Sequence, residues 1–283
     1  MAKAGVFCYK CFVKRLYFSI MKKVMFFLLL IGVLKGFAQT PKIVVSKLDF
    51  VDFTADTFLG YDKFGWKYFI INNTFNKEKD SLILQYKNLA LGKIAKVDLQ
   101  NPLKIMLFYE NFNTVVLLDN QLNETQRINF SEHQIPIVVA AAGMAAQNRL
   151  WIYNNLSQQI GLFDYAKNDY KPVTVPFTGR VKYYDSDFNY FQWIDENSER
   201  FACDVYGKMA DLGKMPAFDR IRFVNDKWLL YSKDSQLFAF DIKNNQSITV
   251  PIAEKTFKSF TSIDQILSIF TSDGITNYKI ILP

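Results

Sequence analysis

KIMLFYENFNTVVLLDN, residues 104–120, decides how the rest of the chain is read. An apolar run ends in Tyr109, the polar stretch ENFN follows, and a second apolar run ends in Asp119. Two apolar segments joined by a short polar turn predict a β-hairpin. The block recurs at residues 149–153 with 160–164, 189–193 with 201–204, and 227–231 with 236–241. In each copy the aromatic precedes the closing Asp by 10 or 11 residues. Successive aromatics, Tyr109, Tyr153, Trp193 and Tyr231, lie 44, 40 and 38 residues apart. That period, with paired strands inside it, belongs to the four-stranded blade of a β-propeller. The chain is therefore expected to be all-β.

Flanking apolar runs fill out the blades. Residues 58–60, 67–71 and 81–86 supply strands of a first blade, and 94–99, 104–109, 114–119 and 126–130 make a second. A third uses 135–142, 150–153, 160–165 and 172–177; a fourth uses 181–185, 190–194, 200–205 and 208–212. The fifth uses 221–224, 228–231, 237–242 and 247–252. Only three strands, 257–261, 266–270 and 278–282, remain for a sixth. A ring closes without an unpaired edge when one end of the chain completes the blade begun by the other. Residues 43–48 are strand-like and otherwise unassigned. We thus expect a six-bladed β-propeller closed by pairing of the N-terminal strand with the last blade. The run IPIVVAAAGMAA, residues 135–146, suits an innermost strand, where blades converge and bulky side chains do not fit. Polar clusters at 72–80, 167–169 and 243–246 are turn signals.

The N-terminal residues have a different character. A basic start at residues 21–23 precedes the eleven-residue apolar run 24–34, then Lys35-Gly36-Phe37-Ala38 and Gln39. This is the pattern of a secretory signal peptide, with cleavage expected after Ala38. The run is short for a membrane span, which takes roughly 20 apolar residues. Residues 1–38 are accordingly the expected signal peptide, residues 1–20 an over-long gene start, and residues 39–283 a single propeller domain; an uncleaved inner-membrane anchor is the alternative. Residue 39 is Gln rather than Cys, so the lipoprotein pattern is missing.

Removing that segment changes the charge. The chain has 34 basic and 27 acidic residues. Seven of the basic ones (Lys3, Lys10, Lys14, Arg15, Lys22, Lys23, Lys35) and none of the acidic ones fall in residues 1–38, which leaves 27 of each. No excess positive charge remains to attract nucleic acid. Cys8 and Cys11 lie in the same segment, so Cys203, inside an apolar strand, is the only cysteine of the expected mature chain. There it acts as a small hydrophobe.

Catalytic chemistry has little to build on. His133 is the single histidine and sits in a polar linker. No Gly-x-Ser-x-Gly motif accompanies it, and no second histidine exists for a metal pair. Asp185-Ser186-Asp187 and Asp195-Glu196 offer oxygens to a hard cation, yet acidic turn residues are the simpler account. Asp119, Asp164, Asp204 and Asp241 recur at one place in the repeat and are expected to bond the turn that follows. Tyr109, Tyr153, Trp193, Tyr231 and Phe270 invite a sugar-binding reading, but packing between blades explains their regularity better. Phe64 and Trp66, flanking Gly65 in a turn, are expected to be exposed and to contact a partner. No nucleotide fingerprint appears, and no cofactor, catalytic residue or metal site is expected.

The stretches KVDLQNPLKIMLFYENFNTVVLLDNQLN (96–123), NRLWIYNN (148–155) and IGLFDYAKN (160–168) resemble exported β-propellers of Gram-negative bacteria whose leader ends in Phe-Ala-Gln. The chain is more distantly similar to NHL and YVTN propellers. The resemblance covers nearly all of the expected mature chain and implies a six-bladed ring in the cell envelope. It implies no catalytic residues, and it implies an accessory subunit of an outer-membrane assembly or secretion machine, type IX secretion included. The chain ends directly after a strand, so no type IX cargo-sorting domain is expected. The leading expectation is a non-catalytic, periplasmic protein-interaction module peripheral to the outer membrane, with envelope proteins as partners. The alternatives are an enzyme or a glycan or small-ligand binder working from one face of the ring, and a surface-displayed cargo.

Overall fold

In a computed structural model, the described residues are 42–283 together with Tyr17, Phe18, Met21, Lys22, Lys23 and Met25. The expected signal peptide, its cleavage point and the over-long start lie outside them but for those six residues. Among the described residues no helix is long and apolar enough to cross a membrane.

The propeller is Ile43–Leu282. Its described strands form six antiparallel sheets of four strands. Blade 1 is β2 (Thr57–Tyr61), β3 (Lys67–Ile71), β4 (Thr74–Lys79) and β5 (Leu82–Tyr86). Blade 2 is β6 (Lys96–Asp98), β7 (Ile105–Tyr109), β8 (Thr114–Leu118) and β9 (Glu124–Asn129). Blade 3 is β10 (Val139–Ala145), β11 (Arg149–Asn154), β12 (Gln159–Asp164) and β13 (Asp169–Pro172). Blade 4 is β14 (Val181–Ser186), β15 (Tyr190–Asp195), β16 (Glu199–Asp204) and β17 (Met209–Lys214). Blade 5 is β18 (Arg220–Phe223), β19 (Trp228–Lys233), β20 (Gln236–Asp241) and β21 (Gln246–Thr249). Blade 6 is β22 (Ser259–Ile263), β23 (Ile266–Phe270) and β24 (Gly274–Ile281), completed by β1 (Val44–Asp52).

The closure matches the expectation. β1 runs antiparallel to β24 from Val44 opposite Ile281 to Asp52 opposite Gly274, with one irregularity between Lys47 and Asp49. Ile43 is buried with Leu267, Ile269, Tyr278 and Ile280, so the first residues of the propeller share a core with the last.

Each blade turns its middle strands into the core. All five residues of β7 and of β8 are buried. The recurring aromatics Tyr109, Tyr153, Trp193, Tyr231 and Phe270 are all buried, as packing between blades requires. Phe177 crosses from one blade to the next, stacking on Tyr153 at 5.4 Å and on Trp193 at 4.9 Å. Aromatic pairs at these separations add attraction beyond the area they bury. The recurring aspartates tie the turns. Asp119 accepts the N–H groups of Gln121 and Asn123, Asp164 those of Ala166 and Lys167, Asp204 those of Tyr206 and Lys208, and Asp241 those of Lys243 and Asn244.

Two strands differ from expectation. Residues 72–80, taken for a turn cluster, contain β4, so blade 1 is complete within itself. The turns are confined to the ends of that stretch, Asn72-Asn73 at φ 48° and 56° and Asp80 at φ 53°, all left-handed. In blade 3 the outer strand is Asp169–Pro172 rather than 172–177. Tyr170 is its buried anchor, and Pro172, without an N–H, stands at its end.

Candidate functional site

The first strand of each blade is innermost: β10 packs against β6 and β14, and β22 against β2 and β18. Residues on these strands line the central channel. β10 is built of small residues, as expected, because its neighbour comes very close. A Cβ on Gly143 would fall 1.9 Å from the Ser186 Oγ and 3.6 Å from the Asp98 Oδ2. Other inner strands carry bulky side chains, Tyr183 and Tyr184 on β14 and Arg220 and Arg222 on β18, so the exclusion of bulk expected for innermost strands holds at β10 and not all round the ring.

The polar wall of the channel centres on β6 and β14. The Lys96 Nζ donates to the Tyr184 carbonyl at 3.2 Å, pairs with the Asp185 Oδ1 at 3.4 Å and lies 3.9 Å from the centre of the Tyr184 ring. Burial works against the charge on Lys96, but Asp185 first and the neighbouring tyrosine oxygens next hold its ammonium above the usual range. Asp98 accepts the Met144 N–H through Oδ2 and the Gln100 N–H through Oδ1, each at 2.9 Å. Burial pushes its carboxyl up, against the opposing pull of the Met144 N–H and Lys96. The Gln100 Nε2 donates to the Ser186 carbonyl at 3.1 Å, while the Gln100 Oε1 and the Ser186 Oγ are buried without partners. Tyr184 accepts the Ala142 N–H at 3.3 Å, which links blades 3 and 4. Burial first and Asp185 next raise the Tyr183 hydroxyl pKa, and Arg222 and Lys96 oppose the rise.

This wall fixes donors and acceptors, but its carboxylates are already committed, Asp98 to backbone N–H groups and Asp185 to Lys96. Among the described residues of this wall no nucleophile is hydrogen-bonded to a free base. The residues singled out in the sequence sort as follows. Asp185, Ser186 and Asp187 stand side by side but face different partners: Asp187 accepts the N–H groups of Asn189 and Tyr190 through its carboxylate. Asp195 accepts those of Asn197 and Glu199. Among the described residues no three His, Cys, Asp or Glu side chains are placed to share a metal ion. His133 lies at the rim beside β9, its ring nitrogens 3.2 Å from the carbonyls of Ile135 and Asn168 and its ring edge-on to Phe163. Cys203 is a free buried thiol that burial pushes up to about 12, out of reach of thiolate chemistry.

Phe64 is exposed, as expected. Trp66 is not: it is half-buried against the core shared by blades 1 and 2, with the Lys77 ammonium 4.5 Å over its ring. Asp62 holds this loop by accepting the N–H groups of Phe64 and Trp66 and the Tyr68 hydroxyl. Lys96, Tyr183 and Arg222 were missed. The signal that finds them is positional: isolated long polar side chains in a blade's first strand reach the axis.

No protein-family profile matches the chain, and no curated protein matches it. Solved structures do. A virginiamycin B lyase from Staphylococcus aureus aligns at 13% identity and a TM-score of 0.55, over 78% of this chain and 79% of that one. A catalytically inactive histidine-to-alanine variant of the S. aureus lyase, with quinupristin, aligns at 10% identity and 0.53, over 85% and 100%. BBS1N in complex with ARL6DN aligns at 9% identity and 0.53, over 82% and 79%. At these identities the likeness is one of fold, and with the strand order it makes the chain a six-bladed β-propeller.

Proposed function

We propose that this chain is a non-catalytic protein-interaction module of the bacterial envelope: an exported propeller, peripheral to the outer membrane in the periplasm, serving as an accessory subunit of an assembly or secretion complex. The observation that carries the reading is β1. It is the longest strand, nine residues, and it forms the edge of its sheet among the described residues. Val44, Leu48 and Phe50 on it are about half exposed. Natural proteins blunt such edges with charge, proline, bulges or short length. The outer strands DYKP and QSIT of blades 3 and 5 are only four residues long, whereas β1, which carries Lys47, Asp49, Asp52 and one irregularity, keeps nine residues and its exposed apolar side chains. An open edge with apolar side chains suits a partner that adds an extended segment to it. Phe64, exposed on the turn between β2 and β3 of blade 1, is a further proposed partner contact, with the half-buried Trp66 beside it. The signal-peptide pattern of residues 21–39 supports export.

An enzyme working from one face is the second reading, favoured by the polar channel and by the lyases that share the fold. The lyase variant above is inactive without one histidine, whereas the one histidine here is held at the rim between two backbone carbonyls. Cross-linking in intact envelopes followed by mild-detergent purification is expected to recover discrete envelope partners joined through β1. A cross-link-free monomer would overturn the proposal.

A further inference from the structure

Along the channel, β10 packs on β14, and β18 on β22, but β14 and β18 pack less closely on each other. A cavity of about 250 Å³ opens there, lined by residues of the inner strands of blades 4, 5 and 6. Its chemistry is one-sided. β18 reads RIRF, and strand alternation places Arg220 and Arg222 on one side while Ile221 enters the core. Lys182 of β14 joins them, its ammonium 4.6 Å over the Phe218 ring. Among the described residues none of these three cations forms an ion pair with a carboxylate, and Arg222 is close enough to Tyr183 to oppose the rise of its hydroxyl pKa. The one acid in the lining, Asp219, accepts from the Lys233 Nζ at 3.2 Å and the Asp234 N–H at 3.0 Å; it also feels the charge of Arg220 without forming an ion pair with it, so the lining keeps a net positive charge. The Ser259 Oγ, also in the lining, is buried with no partner.

We propose that this cavity is a binding site for a small organic anion, gripped through a carboxylate or phosphate group by Arg220, Arg222 and Lys182, with Ser259 donating a further hydrogen bond. Two guanidinium groups offer the paired, coplanar donors that both oxyanions accept bidentately. The volume is at or just below the small end of ligand pockets, room for a compact metabolite rather than a polymer. The site goes beyond the docking reading and is independent of it: β1 belongs to blade 6 at the outer rim, and the cavity lies at the axis.

The test is calorimetric titration of the purified protein with inorganic phosphate and, separately, with succinate, at matched ionic strength. Saturable binding of either probe is expected, and the preferred probe tells phosphate from carboxylate. In R220Q/R222Q, and in R222Q alone, affinity should fall at least about tenfold, which is about 1.4 kcal/mol. Ser259→Ala should weaken binding without lowering the melting temperature, which separates a site effect from misfolding. No saturable binding of either probe, or unchanged affinity in folded R220Q/R222Q, overturns the proposal.

Discussion

Single residues set how closely this ring packs. Gly207 has φ 85°, and a Cβ there would fall 1.9 Å from the Val173 carbonyl oxygen. A side chain meets both a strained backbone and an immovable neighbour, so Gly207→Ala should cost about 2–4 kcal/mol. Chemical denaturation reads this directly, and an unchanged midpoint would contradict the close approach. The turn aspartates give a second prediction. The Asn123 side chain and backbone N–H, with the Gln121 N–H, hold the Asp119 carboxyl below the ordinary range. At Asp164 and Asp241 desolvation is the largest single influence and acts the other way, but the turn donors together outweigh it, from Lys167 and Ala166 at Asp164 and from Asn244 and Lys243 at Asp241. A carboxyl depressed on folding stabilises the protein above its unfolded pKa, and that contribution is lost as pH falls through the folded value. Melting temperature should therefore drop below about pH 4, and D119N/D164N/D241N should flatten that drop. Asp98, raised by burial, contributes with opposite sign and partly offsets the slope.

At the scale of elements, legibility followed the way each strand buries itself. β7 and β8 were plain in the sequence because every side chain is apolar or Thr or Tyr and every one is buried. β4 was not, because TFNKEK buries Asn76 and Lys77 by bonding rather than by hydrophobicity. Asn76 donates to the Thr74 carbonyl and accepts from Gln85, and Lys77 donates to the Asn120 carbonyl in blade 2. Such partners are 2 to 43 residues away in the chain, so no local pattern announces them. The channel wall was hidden for the same reason: Lys96 finds Asp185 across 89 residues. β16 holds the least expected group. Arg200 is 3% exposed, makes one long bond to the Leu212 carbonyl at 3.4 Å and leaves its Nε without a partner. A buried cation without a counter-ion costs more in lost hydration than it recovers. Arg200→Met should raise stability by about 1–3 kcal/mol, measured by denaturant midpoint. A loss of comparable size would show that the arginine has a partner function in the fold.

For the whole molecule, the decisive element is the strand that seals blade 6. A chain beginning at Phe53 lacks the β1–β24 ladder, the buried Ile43 and the bond from Asn277 to Asp49. β24 would then be an open edge. Such a chain should lose about 3 kcal/mol or more and self-associate, and a synthetic peptide of residues 43–52 should restore much of the loss. Denaturation with size-exclusion chromatography checks both. A monomer as stable as the full ring would mean the closure is ornamental.

The order of synthesis gives that seam a temporal meaning. Val44 is among the first of the ring's residues to be made, yet it finds Ile281, its partner, only when the chain is nearly finished. Blades 1 to 5 pair neighbouring segments and need no such wait, so they are expected to condense early, while the seam forms last and slowly. Throughout that delay a greasy ribbon with vacant amides stands ready to zip onto the wrong neighbour. The ring's passage to maturity is thus most exposed to misassembly, and to rescue by holdase chaperones, in the interval before its two ends meet.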